Sequence, residues 1–164
     1  MLEPLKQFIC DECGGVISKP EDGYVEWISV FDDEKGKSIS HGFRIVHRLH
    51  KSPLKNNNPE GCYKYGNEDG RSDSSLDNFM EDVNIKLTSF LDTGFLHNPS
   101  RENNNHIIDF PEFVDFSRRL TVPYYEEARV HFNDIYSNAY YDGHNPHSLF
   151  SEEKLKAIIE QFSG

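Results

Sequence analysis

The 164-residue sequence predicts an α+β protein, with a β-hairpin module over residues 1–66 followed by three to four acidic helices over residues 67–164. Two observations predict this class. Two runs rich in β-branched and aromatic residues lie within the first fifty residues. After Ser75 the apolar residues recur at helical spacing instead. Helical faces need a surface to pack on, so we expect the two parts to form one compact unit.

The hairpin is predicted to join residues 23–31 to residues 42–49 through the polar stretch 32–37. Successive side chains of a strand point to opposite faces. The second strand therefore places Phe43, Ile45, His47 and Leu49 on one face and Arg44, Val46, Arg48 and His50 on the other. We expect the apolar first face, which includes His47, to point toward the interior.

Residues 51–75 are predicted to form a long loop. The stretch contains two prolines, three consecutive asparagines and three glycines, which favour turns over regular elements. Cys62 lies inside it. A loop of this length in a compact domain normally needs an anchor, and the cysteine is the candidate.

Four helices are predicted from the spacing of apolar residues and from capping signals. The first starts after Ser74 or Ser75 and ends at Gly94, the second starts at Asp109, the third near Pro123 and the last after Ser151. Their apolar stripes are expected to be core: Leu76, Phe79, Met80, Val83, Leu87, Phe90 and Leu91; Phe110, Phe113, Val114 and Leu120; Tyr125, Ala128, Phe132, Ile135, Tyr136 and Ala139; Leu155, Ile158, Ile159 and Phe162.

The charge is uneven along the chain. The net charge is −11, and residues 67–164 carry −10 of it. Such a chain gains little from the counterion release that drives nucleic-acid binding, so we expect a protein partner rather than nucleic acid. No apolar run approaches the roughly 20 residues that a membrane span needs, so we expect no membrane contact. The first residues lack the pattern of a secretion signal and the cysteine count is odd, so we expect the cytoplasm.

The cysteines predict a metal site. Zinc in structural sites takes four sulfur or nitrogen ligands in a tetrahedron. Cys10 and Cys13 have the spacing of a ligand pair on a tight turn, and two glycines follow them. Cys62 is the third cysteine, and strand alternation selects His47 as the fourth ligand, with His50 as a possible substitute. We therefore expect a structural Cys3His zinc site that pins the loop of residues 51–75 to the hairpin.

The cysteine pattern is also compatible with a redox pair or with plain buried thiols. A C-x-x-C pair can be a redox motif, but that motif starts a helix after a strand, and no helical pattern follows here. The three cysteines can equally be ordinary buried residues. If zinc is bound, four protein ligands leave no open position, which favours a structural role over a catalytic one.

The stretch CDECGG resembles the knuckle of zinc ribbons and treble clefs. Together with KPEDGYVEW, GFRIVH and GCY, it makes about the first sixty residues similar to small uncharacterised bacterial proteins with an N-terminal zinc knuckle and a helical tail. This resemblance implies a zinc site and implies no activity.

The first functional hypothesis is a non-enzymatic protein-interaction or regulatory protein. The second is an enzyme whose site lies between the two parts and uses Glu127, His131 and His144. The third is a nucleic-acid-binding regulator, which would use the local excess of positive charge at Arg44, Arg48, Lys51, Lys55 and Lys64. Residues 113–133 have the outline of a helix-turn-helix, but two glutamates on the second helix would repel DNA.

Overall fold

The computed structural model describes residues 1–33, 37–91, 106–107, 109–137 and 149–162. The predicted α+β class is confirmed, and the long strands precede the helices. The strands are β1 (Phe8–Ile9), β2 (Val16–Ile17), β3 (Gly23–Asp32), β4 (Lys37–His47), β5 (Arg71–Ser75) and β6 (His106–Ile107). Strands β1 and β2 form a small antiparallel hairpin, and the other four form a sheet in the order β5-β3-β4-β6.

The predicted hairpin is the antiparallel pair of β3 and β4, whose register runs from Gly23 opposite His47 to Asp32 opposite Lys37. Phe43, Ile45 and His47 are buried, as strand alternation predicts. The predicted inward position of Leu49 is wrong. The strand ends at His47, and Leu49 is 44% exposed in a short 3-10 turn.

Strand β5 lies where we expected loop. It pairs antiparallel with β3, from Tyr24 opposite Ser75 to Ile28 opposite Arg71. Its sequence, RSDSS, has no apolar residue and so carries no strand pattern. Backbone hydrogen bonds to β3 are enough to form this edge strand, because such bonds do not depend on side-chain type.

The helices are α1 (Leu76–Glu81), α2 (Val83–Leu91), α3 (Phe110–Thr121), α4 (Tyr125–Ala128), α5 (Phe132–Ser137) and α6 (Glu152–Phe162). The first predicted helix is broken at Asp82, and the third is interrupted by a 3-10 turn, Arg129–His131. Asp109 caps α3 as predicted, accepting a hydrogen bond of 3.0 Å from the Glu112 N–H. The predicted end of the first helix, Gly94, lies outside the described residues. In the described ranges, no helix has both the length and the apolar character that crossing a membrane requires.

The main core contains residues from both halves of the chain. Helices cover one face of the sheet, where the Phe43 ring lies 5.0 Å from the Phe90 and Phe116 rings. The segment after β4 covers the other face, where the Tyr63 ring lies 5.6 Å from that of Tyr24. A second, smaller cluster joins α4 to α6 through four buried side chains: Tyr125, Ala128, Leu155 and Ile159.

The predicted inward orientation of Phe110 and Val114 is wrong, since they are 61% and 38% exposed. The buried stripe of α3 consists instead of Phe113, Phe116, Arg119 and Leu120. Arg119 lies on this buried side of the helix and pairs there with Glu126 and Asp11. Sequence spacing does not reveal these ion pairs.

Candidate metal centre

The turn between β1 and β2 carries the first two cysteines. The Cys10 N–H donates to the Gly15 carbonyl, and the Gly14 N–H donates to the Cys10 carbonyl, both at 2.9 Å. Gly14 has a φ of +69°, in the left-handed region that favours glycine. A Cβ on Gly15 would lie 3.4 Å from the Cys13 sulfur, so the second glycine stands directly beside a ligand atom. The curl of the turn thus explains Gly14, whereas Gly15 leaves the Cys13 sulfur without a neighbouring side chain.

His47 ends β4 on the buried face, and its two ring nitrogens have different partners. Nδ1 lies 3.4 Å from Cys13 Sγ and 3.8 Å from Cys62 Sγ. Nε2 lies 3.2 Å from the carbonyl oxygen of Val16. Because a carbonyl can only accept, Nε2 carries the proton and Nδ1 keeps its lone pair. Metal-bound histidines normally have this arrangement, in which the second nitrogen donates to a backbone carbonyl.

Cys62 comes from the segment that was predicted to be a loop, and it is fully buried. Its sulfur lies 2.9 Å from Ser52 Oγ. The turn before it is closed by Asn58, whose side-chain amide donates to the Gly61 carbonyl at 2.9 Å. Gly61 has a φ of +64°, which a side chain would strain. These contacts order the segment from Ser52 to Cys62 and position the Cys62 sulfur.

The ligand atoms of Cys10, Cys13, His47 and Cys62 all lie within 4.8 Å of one another. A zinc tetrahedron with bonds of about 2.3 Å to sulfur and about 2.0–2.1 Å to nitrogen has edges of roughly 3.5–3.8 Å. The two nitrogen–sulfur distances are close to these edges. The four predicted residues are thus positioned to bind a metal ion. His50, the predicted substitute, is exposed in the turn after β4 and lies outside this cluster.

Burial raises the pKa of two of the cysteine thiols. Loss of solvent raises the pKa of Cys10, and it raises the pKa of Cys62 to about 12. Several thiolates brought together without a compensating charge would be costly. A bound cation supplies that charge and holds coordinating thiols in the deprotonated form. The cluster therefore suits a metal ion better than it suits free thiolates.

A second cluster, the arginine–glutamate pair of Arg119 and Glu126, holds the residues on either side of Cys10. The Ile9 N–H donates to Glu126 Oε1 at 2.8 Å, and Arg119 donates to the Ile9 carbonyl at 3.0 Å. Arg119 also contacts Glu126 at 2.7 Å and Asp11 at 2.6 Å. Burial alone would lower the pKa of Arg119, but these carboxylates outweigh it and raise the pKa. The pair thus completes the backbone hydrogen bonds of Ile9.

Sequence reasoning missed this pair. From the sequence alone, Glu126 is one of the two glutamates that would repel DNA, and no function is predicted for Arg119. Arg119 and Glu126 are seven residues apart, but Ile9 and Asp11, which Arg119 also contacts, are more than a hundred residues away in the chain. No local spacing can indicate such a pairing, because it depends on how α3 and α4 lie against the knuckle.

The residues suggested for an enzyme do not form a site among the described residues. The Leu2 N–H donates to Glu127 Oε2 at 2.6 Å. The His131 ring stacks on Phe162 at 4.5 Å. His144 lies outside the described residues. Although Glu127 and His131 are four residues apart, each contacts a different part of the structure.

The suggested basic patch is largely compensated by carboxylates. Arg44 pairs with Glu12 at 2.6 Å and with the buried Glu26 at 3.1 Å. Arg48 pairs with Asp77 at 3.0 Å. Of the lysines, Lys51 lies 3.7 Å from Asp22, the Lys55 ammonium donates to the His50 carbonyl, and the Lys64 ammonium lies over the Tyr65 ring. An arginine already paired with a carboxylate has less charge to offer a phosphate.

No known protein family, curated protein or solved structure matches this chain. The resemblance of its first sixty residues to zinc-knuckle proteins therefore stays an expectation. Any function has to be argued from the site itself.

Proposed function

We propose that this chain is a non-enzymatic protein-interaction or regulatory protein of the cytoplasm, stabilised by one structural zinc ion. The observation that carries the proposal is the convergence of Cys10, Cys13, His47 and Cys62, whose ligand atoms lie within 4.8 Å of one another. Three segments that are distant in sequence meet there. The ion would join the knuckle, the end of β4 and the segment around Cys62.

The donor set favours zinc over other metals. Three thiolates and one imidazole form a soft set, which suits zinc, whereas magnesium and calcium prefer oxygen. Four protein ligands complete a tetrahedron and leave no position for water or substrate. Structural zinc sites have this closed form. This supports a structural role for the ion.

The binding role is supported by surface charge. The acidic segment, residues 67–82, contains six carboxylates and one arginine. It forms β5, α1 and the turn before them, at the edge of the sheet. Such a surface attracts and orients a positively charged protein partner. We therefore propose a basic protein surface as the partner.

Metal content tests the first half of the proposal. Elemental mass spectrometry of the purified chain is expected to give one zinc per chain, and Cys62→Ser is expected to lose zinc and to melt at a lower temperature. His50→Ala is the matched control for His47→Ala, because His50 is the exposed histidine outside the cluster. Only the His47 variant should lose metal. A folded wild-type chain without metal would refute the site.

Partner binding tests the second half. Neutralisation of four exposed carboxylates of the acidic segment, as Glu68→Gln, Asp69→Asn, Glu81→Gln and Asp82→Asn together, should weaken retention of the partner in a pull-down. High salt should weaken it as well, since exposed charges are screened. If the wild type and the neutralised variant recovered the same amount of partner at low salt, the acidic segment would not be the binding surface.

A further inference from the structure

The three cysteines of the centre differ in how far solvent reaches them. Cys62 is 0% exposed and Cys10 is 1% exposed, whereas Cys13 is only half-buried. The turn around Cys13 is also bare. A Cβ on Gly14 would meet no atom within 4 Å, and Gly15 has no side chain to cover the adjacent sulfur. Cys13 is therefore the least shielded of the three cysteines.

Ser52 adds a second difference. Its side chain is 2% exposed, and its oxygen accepts a hydrogen bond of 3.1 Å from the Leu54 N–H. The hydroxyl proton is then left to donate, and Cys62 Sγ lies 2.9 Å away. A hydrogen bond to a thiolate stabilises its charge and makes it a weaker nucleophile. A Cys62 thiolate, which can only accept this hydrogen bond, would thus be both buried and less nucleophilic.

Resting on the proposed zinc site, we propose that Cys13 is a modification site for small electron-poor alkenes conjugated to a carbonyl, and that its modification opens the centre. Reactivity of a cysteine follows its thiolate character and its exposure. Zinc keeps all three sulfurs as thiolates, so exposure and hydrogen bonding decide which one reacts.

The reaction is an addition without a leaving group. The Cys13 sulfur gives an electron pair to form a carbon–sulfur bond with the β-carbon of the alkene. The electrons of the double bond take a proton from water at the α-carbon, and no oxidant is consumed. The thioether that remains would be a much weaker ligand for zinc than the thiolate. Cys10, His47 and Cys62 would then hold the ion less tightly, and a chelator could remove it.

N-ethylmaleimide tests this on the zinc-loaded full chain. Substoichiometric reagent is added, adducts are mapped by peptide mass spectrometry, and released zinc is followed with a chromogenic chelator. We expect the first adduct on Cys13, one zinc released per adduct, and a rate proportional to the reagent concentration. A first adduct on Cys10 or Cys62 would overturn the proposal. So would simultaneous labelling of all three at a rate independent of reagent, because unfolding would then be limiting. A chain that contains no zinc would instead refute the metal site.

Ser52→Ala tests the part assigned to the hydroxyl. We expect adducts to shift toward Cys62, and the dissociation constant for zinc to rise about 10–100-fold, as is typical when an outer hydrogen-bond partner of a ligand is lost. Ser40→Ala is the control, because Ser40 is a buried serine of β4 outside the cluster. An unchanged adduct ratio in Ser52→Ala would overturn the role of Ser52 and leave exposure alone to set the order.

Discussion

The knuckle is held by two clusters that work differently. The metal cluster gathers ligands from residues 10–62 of the chain, and the arginine–glutamate pair joins Ile9 and Asp11 to α3 and α4. A metal ion requires a defined geometry from all of its ligands. Because the unfolded chain rarely has a preformed site, the free energy of metal binding contributes to folding. A buried ion pair offsets its own desolvation only when both partners are present and fully hydrogen-bonded. The comparison teaches that one turn can have a candidate metal site on one side and a buried ion pair on the other.

Removal of the metal should have the largest effect. Chelation is expected to unfold the knuckle and release the segment around Cys62, because metal binding in zinc-finger peptides contributes an apparent ~10–16 kcal/mol. Hydrogen exchange of the chain with and without chelator measures this. Protection should fall first in β1, β2 and residues 52–62. Unchanged exchange there would mean that the arginine–glutamate pair alone orders the knuckle.

Breaking the arginine–glutamate pair should have the next largest effect. Arg119→Met leaves the buried Glu126 with only Arg129, at 3.4 Å, as a cationic partner. Complete loss of one partner of a buried pair costs about 3–5 kcal/mol, which is the upper limit expected here. Denaturant unfolding of the zinc-loaded chain measures the change. The double variant Arg119→Met, Glu126→Leu should recover part of the loss, since the buried carboxylate that lost its nearer cationic partner is then removed. A single variant as stable as the wild type would show that the pair is dispensable.

The two glycines of the knuckle should differ by a smaller amount. Gly14→Ala places a side chain in the left-handed region, at a cost of about 1–2 kcal/mol. Gly15→Ala is the matched control, because its φ is not positive and the added Cβ meets only ordinary contacts, the nearest at 3.4 Å. Thermal melting should separate the two variants. Equal melting temperatures would argue against the observed turn.

An exposed ion pair should have the smallest effect and sets the baseline. Glu152 and Lys156 pair at 2.7 Å on the surface of α6. Such i, i+4 pairs contribute about 0.2–0.5 kcal/mol. Glu152→Gln should therefore change the free energy of unfolding by no more than that, and salt should remove the difference. If Glu152→Gln lowered the free energy of unfolding as much as Arg119→Met does, burial would not be what distinguishes the arginine–glutamate pair from this exposed pair.

The sequence predicted the candidate site better than the details of the fold. Cysteine spacing, paired glycines and strand alternation all act over a few residues, so they pointed to Cys10, Cys13 and His47 together. Cys62 followed from its position in a long loop. Helical spacing wrongly predicted that Phe110 and Val114 are buried. The apolar residues of this helix are compatible with more than one choice of buried face. In the structure the inward face of α3 includes a charged residue, Arg119, which hydrophobic spacing cannot predict.

The sequence by itself determined the α+β class and the main hairpin, and it predicted Cys10, Cys13, His47 and Cys62 as ligands with His50 as a possible substitute, because local residue types and their periodicity encode these features. Tertiary structure decided the rest. Strand β5 forms through backbone bonds to β3, which its polar side chains do not encode. The arginine–glutamate pair contacts Ile9 and Asp11 because folding brings α3 and α4 against them. Contacts between distant segments depend on the assembled surface, and no short stretch of sequence specifies them.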